Sequence, residues 1–298
     1  MKQVHRKWLA SFGILAASLV VVYCAPADGP AAPRTARLAT GVMPSFSKAL
    51  PHATHNVGWV GDLHTKAMQD LMGNRAEWSN PAHGSLIQRK CKELSRLAAK
   101  YSAILGRQAG LEQGSLDAAA RAALVREGCD GTQPMMVWRI AASSTVAQNT
   151  TDDYTTGAFM NYVPGLEDAM NYAEGPEDAA SGMDAVIASA SGLSSADLEV
   201  LEGIASLGES SAYYWYDQES SGALDSLRIE QPMSIFSTSM HITWWGKVGW
   251  ADLSGIVTTV AKACKWTDGL CVEVPEGTLA AGALGGIISS GSAAIAAI

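Results

Sequence analysis

The residues that most invite chemistry lie close together near the front of the chain: His52, His55, Asn56, Asp62 and His64. Imidazole and carboxylate groups are ligands for a divalent cation that activates water, so this set raises a metal-dependent hydrolase at His52, His55 and His64. His52 and His55 are three residues apart, and His64 follows nine residues after His55. On a continuous helix, nine residues turn a ring to the opposite side. No His-Glu-x-x-His pair occurs. The spacing favours a plainer account: a helix start capped by Asn56, with one buried, hydrogen-bonded histidine. No metal and no cofactor is expected. His64, His55, Asn56 and Asp62 stand as candidate binding residues.

Other catalytic patterns are weaker. Gly208-Glu209-Ser210-Ser211-Ala212 lacks the second glycine of a nucleophile elbow and falls inside a predicted helix. Glu167, Asp168, Glu174, Glu177 and Asp178 offer paired carboxylates for glycoside hydrolysis. They cluster at helix starts, where acids suit the helix dipole. No glycine loop leads into a lysine-serine or lysine-threonine pair, as phosphate cradles require. No catalytic residue is therefore assigned. With a formal net charge of −8 and no basic stripe, nucleic acid is excluded as a partner.

Lys2, Arg6 and Lys7 precede an apolar run from Trp8 to Tyr23, with small residues at Ala25 and Ala27. This reads as a secretory signal over residues 1–27, which places the mature protein outside the cytoplasm: periplasmic, secreted or envelope-anchored. Cys24 follows the apolar run where bacterial lipoproteins are lipidated, although Tyr23 before it is not small. Cleavage near Ala27 is the competing account. Four cysteines remain, Cys91, Cys129, Cys264 and Cys271. Three pairings are open, of which Cys91–Cys129 with Cys264–Cys271 is favoured; four free buried thiols are the alternative.

The elements that must position these groups are mainly α-helical. Residues 28–40 are a proline- and alanine-rich tether, and residues 41–298 are expected to form a single helical domain. Helices are predicted from Asn56 to Met72, stopped by Gly73; from Ser85 to Leu105, stopped by Gly106; and from Leu116 to Glu127, stopped by Gly128. In the second of these, Leu86, Ile87, Leu94, Leu97, Ala98, Tyr101 and Leu105 share an apolar face, and Lys90, Lys92, Arg96 and Lys100 read as solvated. Further helices are expected over 134–147, from Pro164 to Tyr172, and from Glu177 to Ala190. Another starts at Ser194, spaced from Asp197 as a capping box. Its seam of Leu198, Leu201, Ala205, Gly208, Ala212 and Trp215 faces a core and ends in aromatic residues. Residues 226–241 read as extended.

The C-terminal part reads as a helical hairpin. Ala251, Gly255, Thr259 and Ala263 form one row of small residues; Thr278, Gly282, Gly286, Ser290 and Ala294 form another. Residues four apart share a helix face, so two such rows allow close backbone approach. The same device joins helices in membranes. Membrane association therefore has two routes, Cys24 and this hairpin. Lys247, Asp252 and Lys262 in its first arm argue for a core in water instead.

Gly61-Asp62-Leu63-His64-Thr65-Lys66-Ala67-Met68 resembles a motif of uncharacterised exported bacterial proteins: glycine, two residues, then histidine-asparagine and a leucine. Thr65 stands where asparagine is usual. Two later stretches look similar to the same proteins. One is the Leu193-Ser194 helix start leading to Ser211 and Trp215; the other is the glycine- and alanine-rich tail. The resemblance implies an export-associated protein of unknown role, with His64 as the position to watch, and it carries no activity. The expected function is non-catalytic binding or self-association, with partner unknown. Membrane insertion through the hairpin and metal-dependent hydrolysis are the alternatives.

Overall fold

A computed structural model describes residues 55–112, 114–129, 157–224, 244–266 and 275–296, with side chains to Ala261 in the fourth stretch. Several expectations lie outside these residues: the signal segment, Cys24, the tether, His52, the helix over 134–147, the extended stretch over 226–241, and the Cys264–Cys271 pair. Within them the protein is mainly α, with nine α-helices and no strand. These are α1 (Gly58–Gly73), α2 (Arg75–Ser79), α3 (Leu86–Gln108), α4 (Asp117–Arg126) and α5 (Val163–Tyr172), then α6 (Pro176–Ser189), α7 (Ser195–Ser220), α8 (Trp244–Trp266) and α9 (Pro275–Ala296).

The centre is α9. It carries little side-chain volume, so its neighbours come close on every side. Leu279 packs over Gly203 of α7, Gly282 lies under Ile256 and Val260 of α8, and Gly291 sits beneath Leu94 and Leu97 of α3 and Leu71 of α1. A Cβ on Gly255 of α8 would stand 2.7 Å from the Ser289 Cβ and 2.9 Å from the Gly285 carbonyl oxygen. The α8–α9 partners run in opposite senses, as an antiparallel hairpin requires.

The register differs from the sequence expectation. The residues closest to Gly255 and Thr259 are Gly285 and Ser289, not Gly286 and Ser290. A four-residue step overshoots a helical turn by about 40°, so a row at that spacing drifts round the helix. Gly282 faces α8, Gly286 meets Leu207 of α7, and Ser290 accepts a hydrogen bond from the Trp215 indole of α7.

The remaining helices wrap this core. Ser85 caps α3 in a full capping box with Gln88. Gly106 does not stop α3; the helix runs to Gln108, and the left-handed residue is Gly110 at φ 66°. Leu86, expected on the apolar face, is exposed. Lys90, expected in solvent, is buried, because α4 docks over that edge of α3. Ser194 caps α7 by accepting from the Asp197 amide at 3.0 Å; its hydroxyl donates to the Asp197 carboxylate, which completes only half of the predicted box. The α7 seam is buried from Leu201 to Trp215, with Leu198 only half-buried, and the helix continues past its aromatic residues to Ser220. Trp215 sits edge-on to Tyr214 and Trp244, with ring centroids 4.8 and 5.5 Å away, so these rings pack against each other.

α4 is weakly anchored by apolar burial. Its buried residues are Ala119, Ala120 and Ala123. Three methyl groups contribute about 2 kcal/mol. Ordering backbone costs about 1–2 kcal/mol per residue. Other bonds must hold this helix. One is the Cys91–Cys129 disulfide, with Cα atoms 5.2 Å apart.

Candidate functional site

The helix start around residue 55 is not capped as expected. Val57 occupies the N-cap position and makes no side-chain cap, while Asn56 is exposed and Asp62 half-buried. His55 instead docks on α7. Its amide donates to the Glu202 carboxylate at 3.0 Å, its Nδ1 lies 2.9 Å from the same oxygen, and its Nε2 lies 2.9 Å from the Ser195 hydroxyl.

His64 goes elsewhere. It is wholly buried, and its Nε2 lies 3.2 Å from Oδ2 of Asp252 on α8, off the line of a hydrogen bond. The Ser211 hydroxyl of α7 donates to that same Oδ2. All three residues have 0 % exposure. Three helices thus meet on one carboxylate. His64 Nδ1 and Asp252 Oδ1 have no hydrogen-bond partner among the described residues.

The backbone approach that allows this comes from Gly61. A Cβ there would stand 2.6 Å from the Ser206 carbonyl oxygen and 2.9 Å from the Ser210 Cβ. One turn on, the Thr65 and Ser210 hydroxyls lie 2.6 Å apart, and Ser210 donates to the Gly61 carbonyl at 2.8 Å. Gly61, His64 and Thr65 therefore form one stripe that seats α1 on α7 and α8. Ser211 of α7 meets Asp252 beside this stripe, and one turn on Trp215 donates to Ser290 of α9.

Serine, histidine and aspartate together suggest nucleophilic catalysis, but the order is wrong. In a hydrolytic triad the imidazole stands between serine and carboxylate and takes the serine proton. Here the carboxylate stands between serine and imidazole. The hydroxyl is also sealed from solvent. No group of three histidine, cysteine, aspartate or glutamate residues suited to a metal gathers among the described residues, and His55 and His64 take different carboxylates.

Two further polar groupings lie outside this node. A cleft of about 190 Å³ opens beside α2 and α3 among Glu77, Trp78, His83, Arg89 and Arg96. Its arginines are engaged: Arg89 donates to the Gly84 and Trp78 carbonyls, and Arg96 binds Glu93 and, at 2.9 Å, Asp70. Burial works to raise the Asp70 carboxyl, but hydrogen bonds from Lys100 and Arg96 outweigh it and hold it below its usual value. The second grouping clamps α4. Arg126 donates to Thr259, to the Gly285 carbonyl and, at 2.6 Å, to Ser289. Ser289 donates to Glu127, and Lys90 donates to the Glu127 carbonyl at 2.8 Å and to Ser292.

Sequence reasoning singled out His64 but missed Asp252 and Ser211 as its partners. Asp252 had a detectable trace: a lone carboxylate in an apolar, small-residue helix needs a buried partner. No family model matches the chain, and no curated protein or solved structure matches it.

Proposed function

We propose that this chain is a non-catalytic exported protein that acts through binding or self-association, with the His64–Asp252–Ser211 node as a fixed part of its interior. The observation that carries the reading is the node's sealing. Its serine, imidazole and carboxylate are fully buried and joined in an order that does not activate the hydroxyl. The basic start and apolar run of residues 1–27 support export, and a disulfide suits an oxidising compartment. The test is an activity screen of the mature protein against esters, peptides and glycans. We expect no turnover. Turnover that disappears in both His64→Ala and Ser211→Ala, with Ser211→Ala keeping its helical circular dichroism, would overturn the reading.

A further inference from the structure

We infer that the Cys91–Cys129 bridge is a redox latch on α4: reduced by a dithiol, it lets α4 leave the seam between α8 and α9. This inference is independent of whether the protein binds a partner. Three observations converge on it.

First, the apolar contact that holds α4 is small. Its fully buried residues are alanines, with Leu116 buried at its N-cap and Leu124 half-buried against the core, and the residues before it include Gly110 and Gly114 at φ 66° and 86°, left-handed positions that let the chain turn. Second, its polar clamp relies on cations whose charged forms burial disfavours. The Lys90 ammonium and the Arg126 guanidinium are both pulled below their ordinary pKa values by burial, against the opposing pull of Glu127. Water is therefore a competitive partner for these cations once α4 is free to move. Third, the bridge stands at the clamp itself. Cys91 adjoins Lys90 on α3, and Cys129 lies two residues past Glu127. Both cysteines are half-buried, within reach of a small reductant.

The exchange balances simply. A thiolate of the dithiol attacks one bridge sulfur, the S–S bond breaks, and a mixed disulfide forms. The second thiolate of the reductant then displaces the remaining cysteine. The bridge takes up two electrons and two protons to give two thiols, and the reductant leaves as its own disulfide. What α4 uncovers is Thr259, Gly285 and Ser289, which Arg126 holds across the hairpin seam.

Hydrogen exchange on the full mature chain, oxidised and then reduced with dithiothreitol, tests this. Reduction should speed exchange across residues 117–126 by roughly 30-fold or more. It should also speed exchange at 255–259 and 285–289, leave 200–215 unchanged, and reverse on reoxidation. Cys91→Ser with Cys129→Ser should reproduce the reduced pattern without reductant; if that variant fails to fold, reduced wild type alone decides. Unchanged protection of 117–126 or of the seam on reduction would overturn the proposal. So would loss of protection at 200–215 in step with α4, because the bridge would then brace the whole molecule.

Discussion

Buried carboxylates must be answered by a donor or stay protonated, and two of them here are answered differently. Asp252 accepts from Ser211 and faces His64. Glu167 on α5 is as deeply buried, yet its Oε1 has no partner among the described residues. Burial, and then repulsion from Asp168, pushes its carboxyl up from 4.5 to about 7. A raised carboxyl pKa means the folded state holds the proton more tightly than the unfolded chain. The destabilisation is therefore absent below about pH 4.5, grows as pH rises, and is complete above about pH 7. Its size is about 3 kcal/mol at most. Glu167→Gln should raise stability by about 2–3 kcal/mol at pH 8 and by little at pH 4. Denaturant unfolding at the two pH values checks it, and an equal gain at both would show that ionisation is not the cause. The histidine at position 64 was legible from sequence because it falls in the only close cluster of histidines and acids near the start of a predicted helix. Its partners were not, because they lie some 150 and 190 residues away in sequence, on helices whose packing no local pattern specifies.

At the scale of the helix, the same residue type does opposite work. Gly285 sits where a Cβ would stand 2.6 Å from the Thr259 Cβ and 2.9 Å from the Gly255 carbonyl oxygen. Gly106 lies inside α3 with nothing within 4 Å of that position. Alanine gains about 0.8–1 kcal/mol over glycine in a helix interior. Overpacking costs about 1–3 kcal/mol. Gly106→Ala should therefore stabilise by up to about 1 kcal/mol, and Gly285→Ala should destabilise by up to about 2 kcal/mol, as net of these two effects. Thermal unfolding of the two variants side by side gives the sign of each. The two helices and their small rows were readable from spacing alone. Which small residues touch was not, since α9 has close neighbours on several sides and a four-residue row serves more than one of them. The same reason explains Lys90: composition marked it for solvent, and a second helix covered it.

For the molecule as a whole, α9 decides between water and lipid. It has 22 residues, an 18-residue window of which has a mean hydropathy of 1.5, long and apolar enough to cross a bilayer, and 89 % of that window is buried within the protein. We propose that the folded protein keeps it there. Vesicles added to the folded protein should then neither leak trapped dye nor create new protease protection over 275–296. Leakage, with protection appearing only in the presence of vesicles, would replace the core reading by an inserting one. The five helices that enclose α9 are α1, α3, α4, α7 and α8, and every one of them precedes it along the chain. None of them can complete an interior until residues beyond Pro275 have been synthesised. Taking α9 away would strip a shared packing partner from all five at once.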